Sequence, residues 1–194
     1  AFRSAVFGGG DSGSYDNVIQ YATIETSGNG VDFGDLTAAR GQTASLSNGH
    51  GGLLAFDPRP EVVPRGAGAG QRAIHCISDS AKTVNYFTIS TLGNGQDFGD
   101  LVTQRNNAGG MGSALRCLIQ GGASGSTDIQ YTEFATLGNF ADFGDLTDGR
   151  AYTTGASSST RGCSGGGDGY VDIIDYVTFA SVGNATDFGD RTVS

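Results

Sequence analysis

The chain has 194 residues, enough for one domain with a sizeable core, and its net charge of −9 at pH 7 disfavours non-specific binding to nucleic acid or to an anionic membrane. Glycine is abundant, 34 residues against 3 prolines, without the period of collagen. No apolar run approaches a membrane span and no signal peptide is visible.

In chain order, Arg3 opens the run SAVFGGG, which reads as a strand ending in a glycine turn, and NVIQYATIET follows as a second strand from its Val, Ile, Thr and Tyr content. A GN turn and the short strand of GNGVDFGDL come next, then Arg40. The same order returns three times. It begins again at Arg72-AIHCIS with VNYFTISTL and GNGQDFGDL, at Arg116-CLIQGG with GNFADFGDL, and at Arg161-GCSGGG with GNATDFGDR. The four GN phrases start at Gly28, Gly93, Gly138 and Gly183, so they are spaced by 65, 45 and 45 residues. Helical periodicity is hard to find anywhere, and almost no α-helix is expected. The first residue is Ala1 rather than Met, which leaves processing, trimming or excision from a longer polypeptide open.

Aligned on the first Asp of DFGD (Asp32, Asp97, Asp142, Asp187), each copy has a Tyr eleven residues earlier: Tyr21, Tyr86, Tyr131 and Tyr176. A β-branched residue stands thirteen before it (Ile19, Val84, Ile129, Ile174), and Ile24, Ile89, Phe134 or Phe179 stands eight before it. The parity of these apolar positions changes after the Tyr, which predicts a bulge or burial on both faces. Arg40, Arg105 and Arg150 follow eight residues after the anchor; the fourth copy departs, with Arg191 where the others have Leu.

A period of 40–50 residues with three or four short strands per unit predicts an all-β repeat protein. The expected fold is a β-propeller of four blades of about 45 residues. A β-prism or solenoid, or part of a larger propeller, is the alternative. One domain is expected over 1–194, with repeat cores at 1–40, 71–105, 115–150 and 160–194 and an insertion at 41–70. That insertion holds all three prolines and the candidate binding-loop residues His50, Phe56, Arg59, Glu61 and Arg65. Long insertions in repeat proteins map to one face, often the working face.

The order of an apolar strand ending in GG, a strand with Tyr, an aromatic position and an Arg resembles kelch repeats, with Phe33, Phe98, Phe143 and Phe188 in place of the usual Trp. The wording GNxxDFGDLTxxR is closer still to kelch-like repeat proteins of tailed phages, marine and cyanobacterial ones in particular. The resemblance covers nearly the whole chain except 41–70. It implies a virion or extracellular setting, with other virion proteins or a host-surface glycan as partners, and homo-oligomerisation as an open alternative.

For a motif present four times, scaffold is the expected role. Phe33, Phe98, Phe143 and Phe188 would fill the space between sheets, their glycines would allow close backbone approach, and Arg40, Arg105 and Arg150 would clasp a DFGD Asp to the next unit. A kinase DFG is excluded by the lack of a phosphate loop, strand Lys and catalytic loop. A calcium site at Asn29, Asp32 and Asp35 is the lesser reading, from oxygen ligands at spacing three. Otherwise no metal or cofactor is expected. The three cysteines (Cys76, Cys117, Cys163) read as buried free thiols, and no Ser/His/Asp or Cys/His set stands out. The expected function is therefore non-enzymatic: a structural or binding propeller, as in a phage fibre, decoration or receptor-binding protein, with glycan as candidate ligand. The alternative is a carbohydrate-active enzyme using the propeller channel.

Overall fold

A computed structural model describes residues 4–11, 13–23, 27–41, 44–47, 72–76, 81–89, 91–122 and 124–192. The strands in the first unit are β1 (Ser4–Asp11), β2 (Tyr15–Thr23) and β3 (Val31–Arg40). The second has β4 (Ala44–Ser47), β5 (Arg72–Cys76), β6 (Thr83–Thr88) and β7 (Gln96–Asp100). The third has β8 (Gly109–Gly112), β9 (Arg116–Gln120), β10 (Asp128–Glu133) and β11 (Ala141–Asp145). The fourth has β12 (Thr154–Ser157), β13 (Arg161–Gly165), β14 (Ile173–Thr178) and β15 (Thr186–Asp190), with one 3₁₀ turn at Asp168–Tyr170.

Each unit is its own antiparallel sheet, with strands paired in chain order: β1-β2-β3, then β4 to β7, β8 to β11 and β12 to β15. The protein is thus all-β, four sheets of three or four strands compatible with a propeller-like arrangement. The segment after each clasp Arg supplies the first strand of the next sheet, so β4 falls inside 41–70 and pairs with β5. His50, Phe56, Arg59, Glu61 and Arg65 lie outside the described residues.

The expected bulge is present in every unit, but on the DFGD strand rather than the Tyr strand. Ile19, Val84, Ile129 and Ile174 pair with Gly34, Gly99, Gly144 and Gly189, while the following residues pair with the Asp two positions back. The skipped residue is the Phe, which a bulge re-aims out of the regular alternation. The parity change after the Tyr has two causes. Ile89, Phe134 and Phe179 lie just past their strands' ends, and the central strands are buried on both faces, as at Val84 and Asn85 or Ile129 and Gln130.

The core consists of layers between sheets. Phe33 and Leu36 of the first unit pack with Ala73 and Phe87 of the second. Phe98 and Leu101 of the second pack with Cys117, Ile119, Phe134 and Phe140 of the third. Phe143 and Leu146 of the third pack with Val177 and Phe179 of the fourth.

Candidate functional site: the joints between repeats

Each joint begins where the DFGD strand of one unit receives the GN turn of the next. Gly93 N–H donates to Phe33 O at 3.0 Å, Gly138 N–H to Phe98 O at 2.9 Å and Gly183 N–H to Phe143 O at 2.8 Å. Two residues on, Gly95, Phe140 and Ala185 donate to the carbonyls of Asp35, Asp100 and Asp145. The Asn between them accepts in return: Asp35, Asp100 and Asp145 N–H donate to Asn94, Asn139 and Asn184 Oδ1 at 3.0–3.1 Å. The turn therefore docks as an extra short strand.

This approach requires glycine. At Gly34, Gly99 and Gly144, with φ of 151°, 141° and 142°, a Cβ would stand 2.5–2.6 Å from the next unit's turn backbone. No side chain fits there, and the backbone angle suits only glycine.

Aromatic and cationic groups complete the layer. Tyr21, Tyr86 and Tyr131 meet Phe33, Phe98 and Phe143 edge to face, with ring centroids 5.5–6.3 Å apart. Arg72 lies 4.7 Å over the Tyr86 ring and Arg116 lies 5.1 Å over the Tyr131 ring. Each reaches on into the next unit, Arg72 to Phe134 O and Arg116 to Phe179 O. The same guanidinium thus stacks at home and donates across the joint.

The clasp arginines do bridge to the next unit, but not through a DFGD carboxylate. Arg40, Arg105 and Arg150 donate to one equivalent carbonyl in each case: Thr83, Asp128 and Ile173. Arg105 adds an ion pair with Asp128 at 2.5 Å, and Arg150 adds one with Asp175. The DFGD Asp side chains are used locally instead: Asp142 and Asp187 accept the N–H of Gly144 and Gly189, and Asp145 accepts Thr127 Oγ1. A bulged, short-turned Asp satisfies its own backbone more readily than it reaches a distant guanidinium. Burial lowers the pKa of Arg40 and Arg105, with Asp128 opposing that shift at Arg105.

A further position, one the sequence reading did not single out, links the units. The residue before each Tyr serves the residue two past DFGD of the preceding unit: Thr37 Oγ1 donates to Asn85 Oδ1 at 2.6 Å, Val102 N–H to Gln130 Oε1 at 3.0 Å and Thr147 Oγ1 to Asp175 Oδ1 at 2.6 Å. A polar residue between Ile or Val and Tyr in every copy (Gln20, Asn85, Gln130, Asp175) was the available signal.

His75 and Cys76 take opposite faces of β5. His75 faces the first unit, with Nε2 donating to Gly8 O at 3.1 Å, and burial lowers its pKa to about 4. Cys76 faces the third unit beside Cys117, whose thiol is pushed up by burial first and by Cys76 second. Among the described residues no cluster of three or more His, Cys, Asp or Glu that could hold a metal ion occurs. The asparagines equivalent to Asn29 spend their Oδ1 on the joint. Among the described residues no helix is long and apolar enough to cross a membrane. No family model and no curated protein matches the chain.

Proposed function

We propose that the chain is a non-enzymatic structural and binding protein whose repeats are blades of a kelch-like, propeller-like array. Its expected setting is a tailed-phage virion, as a fibre, decoration or receptor-binding component, with a host-surface glycan as ligand. One observation supports the non-enzymatic reading above others: the repeated phrase is consumed by assembly. Its Phe fills the layer between sheets, its Gly admits the next turn, and its carbonyls receive that turn's N–H groups. The phage setting rests on the wording GNxxDFGDLTxxR alone.

The test joins a glycan array and turnover assays on the purified chain with electron microscopy of particles bearing it. Regular placement on a virion, or glycan binding without cleavage, supports the reading. Cleavage of a bound glycan would replace it with an enzyme working in the propeller channel. Absence from particles together with no glycan binding would remove it.

A further inference from the structure

The three internal joints leave two unmatched halves. On the fourth sheet, Phe188 keeps the edge-to-face contact with Tyr176, yet is 58% exposed where Phe33, Phe98 and Phe143 are 5% or less. A Cβ at Gly189 meets no described residue within 4 Å, although φ is 134° as in the jointed copies. Arg161 stacks 4.8 Å over Tyr176 like its counterparts but is exposed, where Arg72 and Arg116 are half-buried and donate to the next unit.

The first sheet carries the other half. Gln20 is exposed, where its counterparts Asn85, Gln130 and Asp175 are 1% exposed or less. Phe7, which pairs with Gln20, is 62% exposed, while the residues at the equivalent position of the other sheets, His75, Ile119 and Ser164, are 1% or less. Gly30, the third residue of the GN turn, is exposed, whereas its counterparts Gly95 and Phe140 are buried, Gly95 against the Asp35 carbonyl.

We propose that the fourth-sheet face of one copy of this chain docks on the first-sheet face of a second copy, repeating the internal joint head to tail. In that joint the Gly28–Gly30 turn adds to Asp187–Asp190, with Gly28 N–H on Phe188 O and Asn29 Oδ1 accepting Asp190 N–H. Phe188 enters the layer beneath Phe7, Ala5 and Ala22, and Gln20 serves Thr192. Both halves belong to one chain and differ from the internal template at one residue of the wedge, Arg191 for Leu. Arg191 stands where the internal joints take Leu36, Leu101 or Leu146 and turns its guanidinium onto Val171 O of its own unit, so this joint lacks an apolar side chain and is weaker than the internal ones. The contact is heterologous, so it propagates as an open filament or closes into a ring of copies.

Sedimentation velocity across the soluble concentration range tests this. The wild type is expected to grow with concentration through a series of species. Phe7→Asp blocks one face and Phe188→Asp the other; both residues are exposed, and each variant should melt as the wild type does. Each variant alone should be monomeric, and an equimolar mixture should stop at a one-to-one pair, because each partner retains one good face. Asn29→Ala should weaken association about tenfold, and Arg191→Leu should tighten it. A wild type that stays monomeric overturns the proposal; if the two Asp variants then melt lower, the faces meet within one chain. Association that survives either Asp variant, or a mixture that stays monomeric, also overturns it.

Discussion

The third and fourth units carry the same DFGD phrase in the same bulged strand, and only one of the two Phe rings is buried. Phe143 is 2% exposed, with Gly183 N–H on its carbonyl, whereas Phe188 is 58% exposed. Local geometry does not separate them: the bulge, the edge-on Tyr and the Asp-to-Gly hydrogen bond occur in both. What differs is the GN turn docked on Phe143. The motif is therefore half of an interface, complete only when a GN turn docks on it.

The comparison is most sharply broken by truncating the two rings. Phe143→Ala should cost about 3–5 kcal/mol and Phe188→Ala well under half of that, read by chemical denaturation under conditions where the chain is monomeric. Equal losses would mean that burial in the joint is not what the Phe contributes. Next come the clasps of the two last joints. Asp175 is fully buried against Arg150, so Asp175→Ala, which strands a buried guanidinium, should cost about 3–5 kcal/mol. Asp128 is 38% exposed at its side chain, and Asp128→Ala should cost about 1 kcal/mol.

The joint between the first two units has a titrating group in place of such a pair. His75 has a folded pKa of about 4 against 6.5, so the unfolded chain takes up the proton first. Stability from this group is complete above pH 6.5 and declines as pH falls toward 4, by about 3 kcal/mol in all. Arg40, which shares this joint, acts in the same direction. Denaturation midpoints of the wild type and His75→Gln should converge across that window; parallel curves would remove His75 as the cause. The smallest contrast is between the asparagines. Asn184→Ala should lower stability by about 1 kcal/mol and Asn29→Ala by almost nothing in the monomer.

Much of the architecture was legible in the chain. The fourfold phrase, the Tyr eleven residues earlier and the Arg eight residues later marked four β units, because sheets stacked in series must present the same surface each time. The wedge Phe was legible for the same reason. The clasp partner was not. Arg150 pairs with Asp175, which is Asn85 or Gln130 in other copies, so no repeated carboxylate pointed to it. The parity change after the Tyr allowed a bulge or burial on both faces; burial on both faces accounts for it along β10, and the bulge itself lies on the DFGD strand.

The sequence by itself determined the unit, its period and its irregular copy, since strand content, glycine turns and aromatic spacing are local properties of each repeat. Only the tertiary structure decided which copies of the phrase are covered. Burial of Phe188 depends on a neighbour that its own residues do not supply, and Arg191, visible as a departure in the sequence, takes its meaning from lying at that uncovered face.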